Sequence, residues 1–304
     1  MPPQSPRPTS PPPVPPPRNP IGGHVPVAGG LAAVGVRYAR TIGAEALQVF
    51  VANPRGWATP PGSPAQDAAF RAACATEALP AYVHAPYLIN LGSHSTETAE
   101  RSVVSLRHSL HRARAIGALG VVVHTGSATG SRPRQVALDQ AGRLLRPLLA
   151  ELDALAEDGS AVPRLLLEPT AGQGFSLCSR VADLGPYLAA VDHHPRVGVC
   201  LDTCHVFAAG HDLSVPGGAT ALLDELTRVA GPGRLGLVHA NDSKAGVGSR
   251  LDRHQNVGAG AIGEAAFAEL LRHPATAGVP LVIETPGGTE GHAGDIARLK
   301  ALRC

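Results

Sequence analysis

Val-Gly-Val-Cys-Leu-Asp-Thr-Cys-His, residues 197–205, is the stretch on which the fold turns. An apolar run closes on Asp202, and His205 follows within one turn of chain. The same event recurs: short apolar runs end on His84, His124, Glu168, His239 and Glu284. Continuous apolar runs suit strands buried on both faces, as parallel strands flanked by helices must be. Strands are predicted at 22–27, 46–51, 81–84, 120–124, 164–168, 197–202, 234–239 and 280–284. Between them apolar residues recur at helical spacing, as in Val103, Leu106, Leu110 and Ala113, or Leu138, Ala141, Leu145, Leu148 and Leu152. Pro147 should kink or interrupt the second of these helices. Eight such units predict an α/β fold, a single-domain (β/α)8 TIM barrel. An open doubly wound sheet would gather its chemistry at one switch point, whereas here it is spread over most strand ends.

Length and composition agree with one large globular unit. The chain has 304 residues, 44% hydrophobic and 16% charged, enough apolar surface for a substantial core and no signature of a membrane span. Residues 1–20 are dominated by Pro, lack the apolar centre of a signal peptide, and are expected to be a disordered tail ahead of a barrel domain over 21–304. Five cysteines without a Cys-x-x-Cys pair do not make a secreted disulfide framework, which points to a reducing, cytoplasmic location. A formal net charge of +2 announces no nucleic-acid partner by itself, so phosphate contacts would come from local arginine clusters. Neither Gly29-Gly30 nor the 258–263 segment has the spacing of a phosphate-binding loop, and both are taken as turns.

In a closed parallel barrel the strand ends share one mouth, and imidazoles and carboxylates gathered there are the usual ligands of divalent metals. His84, His124, Glu168, Asp202, His239 and Glu284 are therefore candidate ligands, joined by His205 and by the Asp252–His254 pair in a long connection after the seventh strand. His24, ending the first strand, could be a ligand, a hydrogen-bond partner of one, or a lining residue. His108, His111, His193 and His194 lie off the strand ends and are assigned to the surface, while Cys200 and Cys204 are assigned to packing. One catalytic zinc needs three protein ligands and a water, so a set this large implies more than one ion. Paired ions suit phosphoester hydrolysis, because they can activate a hydroxide, neutralise the phosphate and stabilise the departing oxygen.

With these residues in place the chain resembles the endonuclease IV family of abasic-site DNA endonucleases, over about 21–304. The resemblance rests on HAPYLINLG from His84, EPTAGQG from Glu168, VGVCLDTCHVFAAGHDL from Val197, HANDSK from His239, GSRLDRHQNVGAGAIG from Gly248 and PLVIETP from Pro280. It implies a trinuclear Zn2+ cluster. His84 and His124 would hold one ion and Glu168 would bridge it to a second, completed by Asp202, His239 and Glu284; His205, Asp252 and His254 would hold the third. Mn2+ is an alternative occupant at one position. By the family's mechanism a metal-bridging hydroxide, assisted by Glu168 as the catalytic carboxylate, attacks the phosphate 5′ to an abasic sugar. A 3′-hydroxyl and a 5′-deoxyribose phosphate are left, and blocked 3′ ends are processed by the same centre.

Double-stranded DNA carrying an abasic site or a blocked 3′ end is the implied partner, engaged by a wedge of side chains that fills the gap in the base stack. Arg55, Tyr87 and Leu88 match the wedge positions, and Arg250 and Arg253 are candidates for phosphate contact. Thr125 stands where the family commonly has Pro after the second metal-binding histidine. No membrane partner is expected, and a monomer is the default. Two rival readings use the same residues: a metal-dependent sugar isomerase or epimerase of the xylose isomerase-like barrels, and a non-catalytic DNA-damage binder. Asp252 and His254 speak against the first, and the filled ligand set against the second.

Overall fold

Eight short strands close into a parallel barrel: β1 (Ile21–His24), β2 (Leu47–Phe50), β3 (Ala81–His84), β4 (Gly120–His124), β5 (Arg164–Glu168), β6 (Val197–Asp202), β7 (Leu235–His239) and β8 (Leu281–Ile283). The computed structural model describes residues 18–157, 159 and 161–303. Each strand pairs with the next in sequence, and β8 returns to β1 through Ile21–Leu281, Gly22–Val282 and Gly23–Ile283. Glycine is required at 22, because a Cβ there would lie 1.8 Å from the carbonyl oxygen of Ala46. A register shift at Val199 and Cys200, which pair with Leu235 and Leu237, leaves Gly236 as an extra residue in β7 just below its functional end.

Nine α-helices are found among the described residues: α1 (Arg37–Thr41), α2 (Pro64–Thr76), α3 (Thr96–Ala115), α4 (Arg134–Ala156), α5 (Leu184–Ala190), α6 (Thr203–Ala208), α7 (Gly218–Ala230), α8 (Glu264–Arg272) and α9 (Gly288–Leu302). None is long and apolar enough to cross a membrane. Their apolar stripes pack on the outside of the barrel, as with Leu106, Leu110 and Ala113 of α3 and Leu138, Ala141, Leu145, Leu148 and Leu152 of α4. On the outer ring, Arg112 of α3 clamps Asp67 of α2 with two bonds of 2.6 Å.

The strands differ from expectation mainly at the first. It ends at His24 rather than 27, because Pro26 has no N–H to continue the ladder. The last ladder is also shorter than 280–284, covering Leu281–Ile283. Pro147 does not interrupt α4, which runs unbroken from Arg134 to Ala156. Its ring sits on the exposed face, where the carbonyl it displaces can turn to water. The expected tail falls chiefly on residues 1–17, which lie outside the described residues. Its last members are tied to the barrel base: Asn19 is buried and donates to the Val279 carbonyl at 2.9 Å, and Pro20 accepts from Leu281 N.

Barrel filling explains where the site sits. One layer of buried side chains, Ala46, Tyr82, Val122, Leu166, Cys200, Leu237 and Val282, forms its own cluster apart from the main core. Successive side chains of a strand alternate faces, so the residue two further along points the same way. Two residues beyond that layer stand Gln48, His84, His124, Glu168, Asp202, His239 and Glu284. The polar centre is thus the next layer of the same barrel interior, resting on an apolar floor.

Candidate metal centre

Glu168 is the hub, with 0% exposure at the end of β5. Its Oε2 lies 3.3 Å from His84 Nε2 and 3.4 Å from His124 Nε2. Its Oε1 lies 3.0 Å from His239 Nδ1 and 3.3 Å from His205 Nδ1. His239 Nδ1 also faces Glu284 Oε2 at 3.5 Å and Asp202 Oδ2 at 3.8 Å. To one side, Asp252 Oδ2 lies 3.3 Å from His205 Nε2 and Oδ1 lies 3.0 Å from His254 Nε2, without hydrogen-bond geometry at the latter. All nine donors expected to be ligands are therefore brought together at the barrel mouth.

Local structure aims each of them. Asp202 caps α6, its Oδ1 accepting from His205 N at 2.9 Å, which leaves Oδ2 for the cluster and turns His205 over it. Asp252 and His254 come from the long connection after β7, which would otherwise be free to move. A two-residue antiparallel ladder, Asp242–Ser243 with His254–Gln255, clips it to the rim. Arg250 N and Gly248 N bond back to the carbonyls of Ala208 and Phe207 at the end of α6. Beyond His254 the chain wraps around the buried Asp242 carboxylate, which accepts from the backbone N–H groups of Gly258, Gly260, Ile262 and Gly263. A Cβ on residue 260 would come within 2.4 Å of the Ser243 carbonyl oxygen, so this wrap needs its glycine.

Imidazoles in metal sites show one nitrogen to the ion and give the other N–H to an oxygen. His84 Nδ1 donates to the Ala85 carbonyl at 2.7 Å, and His254 Nδ1 to that of Glu284 at 3.2 Å. His239 turns the other way, donating from Nε2 to Gln48 Oε1 at 2.9 Å. In each case the remaining nitrogen points into the cluster.

Charge balance points to cations. Burial pushes Glu168 toward the neutral acid, yet His239, His124 and His205 outweigh it and hold the carboxyl well below its usual range. Burial likewise opposes protonation of His254, but Asp202 and Asp252 lift it to about 9. His205 is raised well above its ordinary value against the same opposition from burial, by Asp202, Asp252 and Glu168. His124 is instead pushed down by burial to about 4 despite Glu168. The carboxylates that hold protons on buried His205 and His254 make this side of the mouth favourable to positive charge.

Donor spacing fits such ions. Two ligand atoms about 2.0–2.1 Å from a tetrahedral ion lie about 3.3 Å apart, close to the separations found here. Glu168 Oε2 and His254 Nε2 are buried without a hydrogen-bond partner, as atoms reserved for coordination would be. Ligand atoms of His84, His124 and Glu168 lie within 4.8 Å of one another, as do those of His205, Asp252 and His254, and of Glu168, Asp202 and His205. Cys200 and Cys204 also fall within such groups. Burial pushes their thiols up to about 12 and about 11, which favours the neutral thiol at both positions in the metal-free protein.

Around the mouth, Tyr87 is 45% exposed, with its ring stacked 5.5 Å from His124, and its N–H bonds to the Pro54 carbonyl. That bond ties the loop after β3 to the loop after β2, next to exposed Arg55. Leu88 is half-buried beside Tyr87, and Arg250 and Arg253 are exposed on the connection that carries Asp252. His108 bonds to the Pro60 carbonyl, His111 to Glu151 and His194 to Asp153, all away from the mouth. His24 stands beside Glu284, its Nδ1 at 3.1 Å from Oε1. Gln48 and Asn241 enter the site without having been expected there: Asn241 donates to Asp202 Oδ2 at 2.8 Å and accepts from Glu284 N at 2.7 Å.

Residues 36–302 match the family model described as xylose isomerase-like TIM barrel. The chain is 67% identical over 287 residues to a protein of Streptomyces coelicolor described as probable endonuclease 4, covering 94% of this chain and 96% of that one. A Methanoculleus marisnigri protein of the same description is 38% identical, with 93% and 98% covered. The crystal structure of endonuclease IV from Thermus thermophilus superposes with a TM-score of 0.80 at 36% identity, covering 93% of this chain and 98% of that one. A D-tagatose 3-epimerase-like protein reaches a TM-score of 0.71 at 18% identity, a likeness of fold alone.

Proposed function

Because the chain belongs to the endonuclease IV family of metal-dependent DNA-repair nucleases, we propose that it hydrolyses the phosphodiester 5′ to an abasic site. The products are a 3′-hydroxyl and a 5′-deoxyribose phosphate, and the same centre trims blocked 3′ ends. The observation that carries this reading is the convergence of five imidazoles and four carboxylates on one barrel mouth with Glu168 at its hub. Three zinc ions fit that donor set. His84, His124 and Glu168 would hold one, Glu168, Asp202, His239 and Glu284 a second, and His205, Asp252 and His254 a third, with Mn2+ an alternative at one position. Such ions, when bound, neutralise the phosphate, favour the departing 3′ oxygen and bring water to the edge of ionisation near neutral pH.

This chain's own residues supply placement. Glu168 is the carboxylate that orients the attacking water, its Oε2 carrying no hydrogen bond from the protein. The apolar floor beneath keeps bulk water from entering below and leaves the mouth as the approach. Exposed Tyr87, with half-buried Leu88 next to it in the chain and Arg55 on the adjoining loop, enters the gap left by the missing base, where unstacking costs least. Arg250 and Arg253 meet the backbone phosphates. A sugar epimerase reading accounts for the barrel and the strand-end donors, but gives no task to the separate His205–Asp252–His254 group or to an exposed tyrosine at the rim.

The test is Glu168→Gln, which keeps shape and removes the hub's charge. Incision of a duplex with one synthetic abasic site should fall at least about 100-fold, in the range seen when a preorganised electrostatic group is lost, while affinity for the same duplex changes little. Undiminished incision would remove Glu168 from the reaction. Binding without incision by the wild type would favour the damage-binder reading.

A further inference from the structure

Gln48 belongs to the site's layer of the barrel, two residues beyond Ala46 of the apolar floor, with 0% exposure. Its amide spans two members of the ligand set on different strands. Oε1 accepts from His239 Nε2 at 2.9 Å, and Nε2 donates to Glu284 Oε1 at 2.7 Å, with His24 Nδ1 at 2.9 Å from the same nitrogen. The amide has one allowed orientation, since reversing it would set a carbonyl oxygen 2.7 Å from a carboxylate oxygen.

Two consequences follow. Gln48 Oε1 holds a proton on His239 Nε2, so that Nδ1 is the nitrogen presented to Glu168 Oε1 at 3.0 Å, Glu284 Oε2 at 3.5 Å and Asp202 Oδ2 at 3.8 Å. A nitrogen set among three carboxylate oxygens needs a proton or a metal ion between them. Glu284, with Oε1 engaged by Gln48 and His24, is turned so that Oε2 is the atom presented to the cluster. We propose that Gln48 is the positioning residue of the Asp202–His239–Glu284 metal site, fixing the tautomer of one ligand and the free oxygen of another through a single amide. This rests on the reading of the mouth as a metal centre.

Hydrogen-bond partners of ligands typically change metal affinity about 10–100-fold when removed. The test uses the full-length protein, stripped of metal and titrated with zinc against a chromophoric chelator, comparing wild type with Gln48→Met and Gln48→Asn. Met nearly matches the shape and offers neither donor nor acceptor; Asn keeps an amide but stops one methylene short. Both variants should lose about 10–100-fold in affinity for one zinc equivalent and keep the others. A role in packing alone predicts that Met behaves as wild type, so an unchanged zinc titration for Gln48→Met overturns the proposal while leaving the metal reading intact. Should Met fail to fold, an unchanged titration for Gln48→Asn overturns it equally. A wild type that takes up no zinc overturns the metal reading itself, and the role of Gln48 with it.

Discussion

Asp242→Asn should cost this protein about 4 kcal/mol, although it changes one atom and touches no ligand. The buried carboxylate accepts five backbone N–H groups: Gly258 at 2.9 Å, Gly260 at 3.1 Å and Gly263 at 3.3 Å on Oδ2, with Ile262 at 2.9 Å and Ser243 at 2.7 Å on Oδ1. An asparagine has one acceptor oxygen. In its better orientation it keeps the three bonds at Oδ2 and sets an NH2 against the N–H groups of Ile262 and Ser243. Hydrogen bonds to charged acceptors contribute about 1.5–3 kcal/mol each, so two lost bonds amount to about 3–6 kcal/mol. For a domain of this size about 2–4 °C is lost per kcal/mol, which places the melting temperature about 10 °C lower. Urea unfolding of wild type and variant measures the difference directly. Because this wrap holds the ladder bearing His254, the variant should also bind zinc more weakly at the Asp252–His254 side. A shift below about 1 kcal/mol with unchanged zinc binding would show that no single carboxylate organises the 256–263 turn.

Tyr87→Ala should weaken capture of an abasic duplex by about 1–3 kcal/mol, the worth of an aromatic stacked on a base, with little effect on affinity for undamaged DNA; equal losses on both duplexes would assign the ring to general packing. Arg112→Ala strands the buried Asp67 carboxylate, since both 2.6 Å bonds are lost. It should destabilise the fold by about 3–5 kcal/mol in urea titrations without changing zinc stoichiometry, and a loss under about 1 kcal/mol would mean that Asp67 finds another partner or water.

Much of this architecture is legible in the chain because the strands are short and end on unlike chemistry. Val197 to Leu201 is apolar and Asp202 is not, so one line of sequence reports both the strand and its functional end. Six of the inward-facing residues of the site's layer announce themselves by charge or imidazole, and Asp252 and His254 by their pairing. Gln48 does not, because an amide inside the expected 46–51 strand reads as an ordinary polar residue. Counting two from Ala46, as from Tyr82 to His84, is the signal that would have placed it. Asp242 gives no local signal at all: its partners in the wrap lie 16 to 21 residues away. Sequence periodicity runs past the true end of β1, since the pattern carries no account of the missing N–H of Pro26, and it cannot tell that Pro147 falls on the solvent side of α4.

A metal-dependent abasic-site nuclease stands or falls on incision of a duplex carrying one synthetic abasic site, with metal content measured on the same purified sample. Cleavage is expected on the 5′ side with a 3′-hydroxyl end, lost on chelation and recovered with zinc, from a protein holding about three zinc ions per chain. Intact DNA from a sample holding its full complement of metal would contradict it.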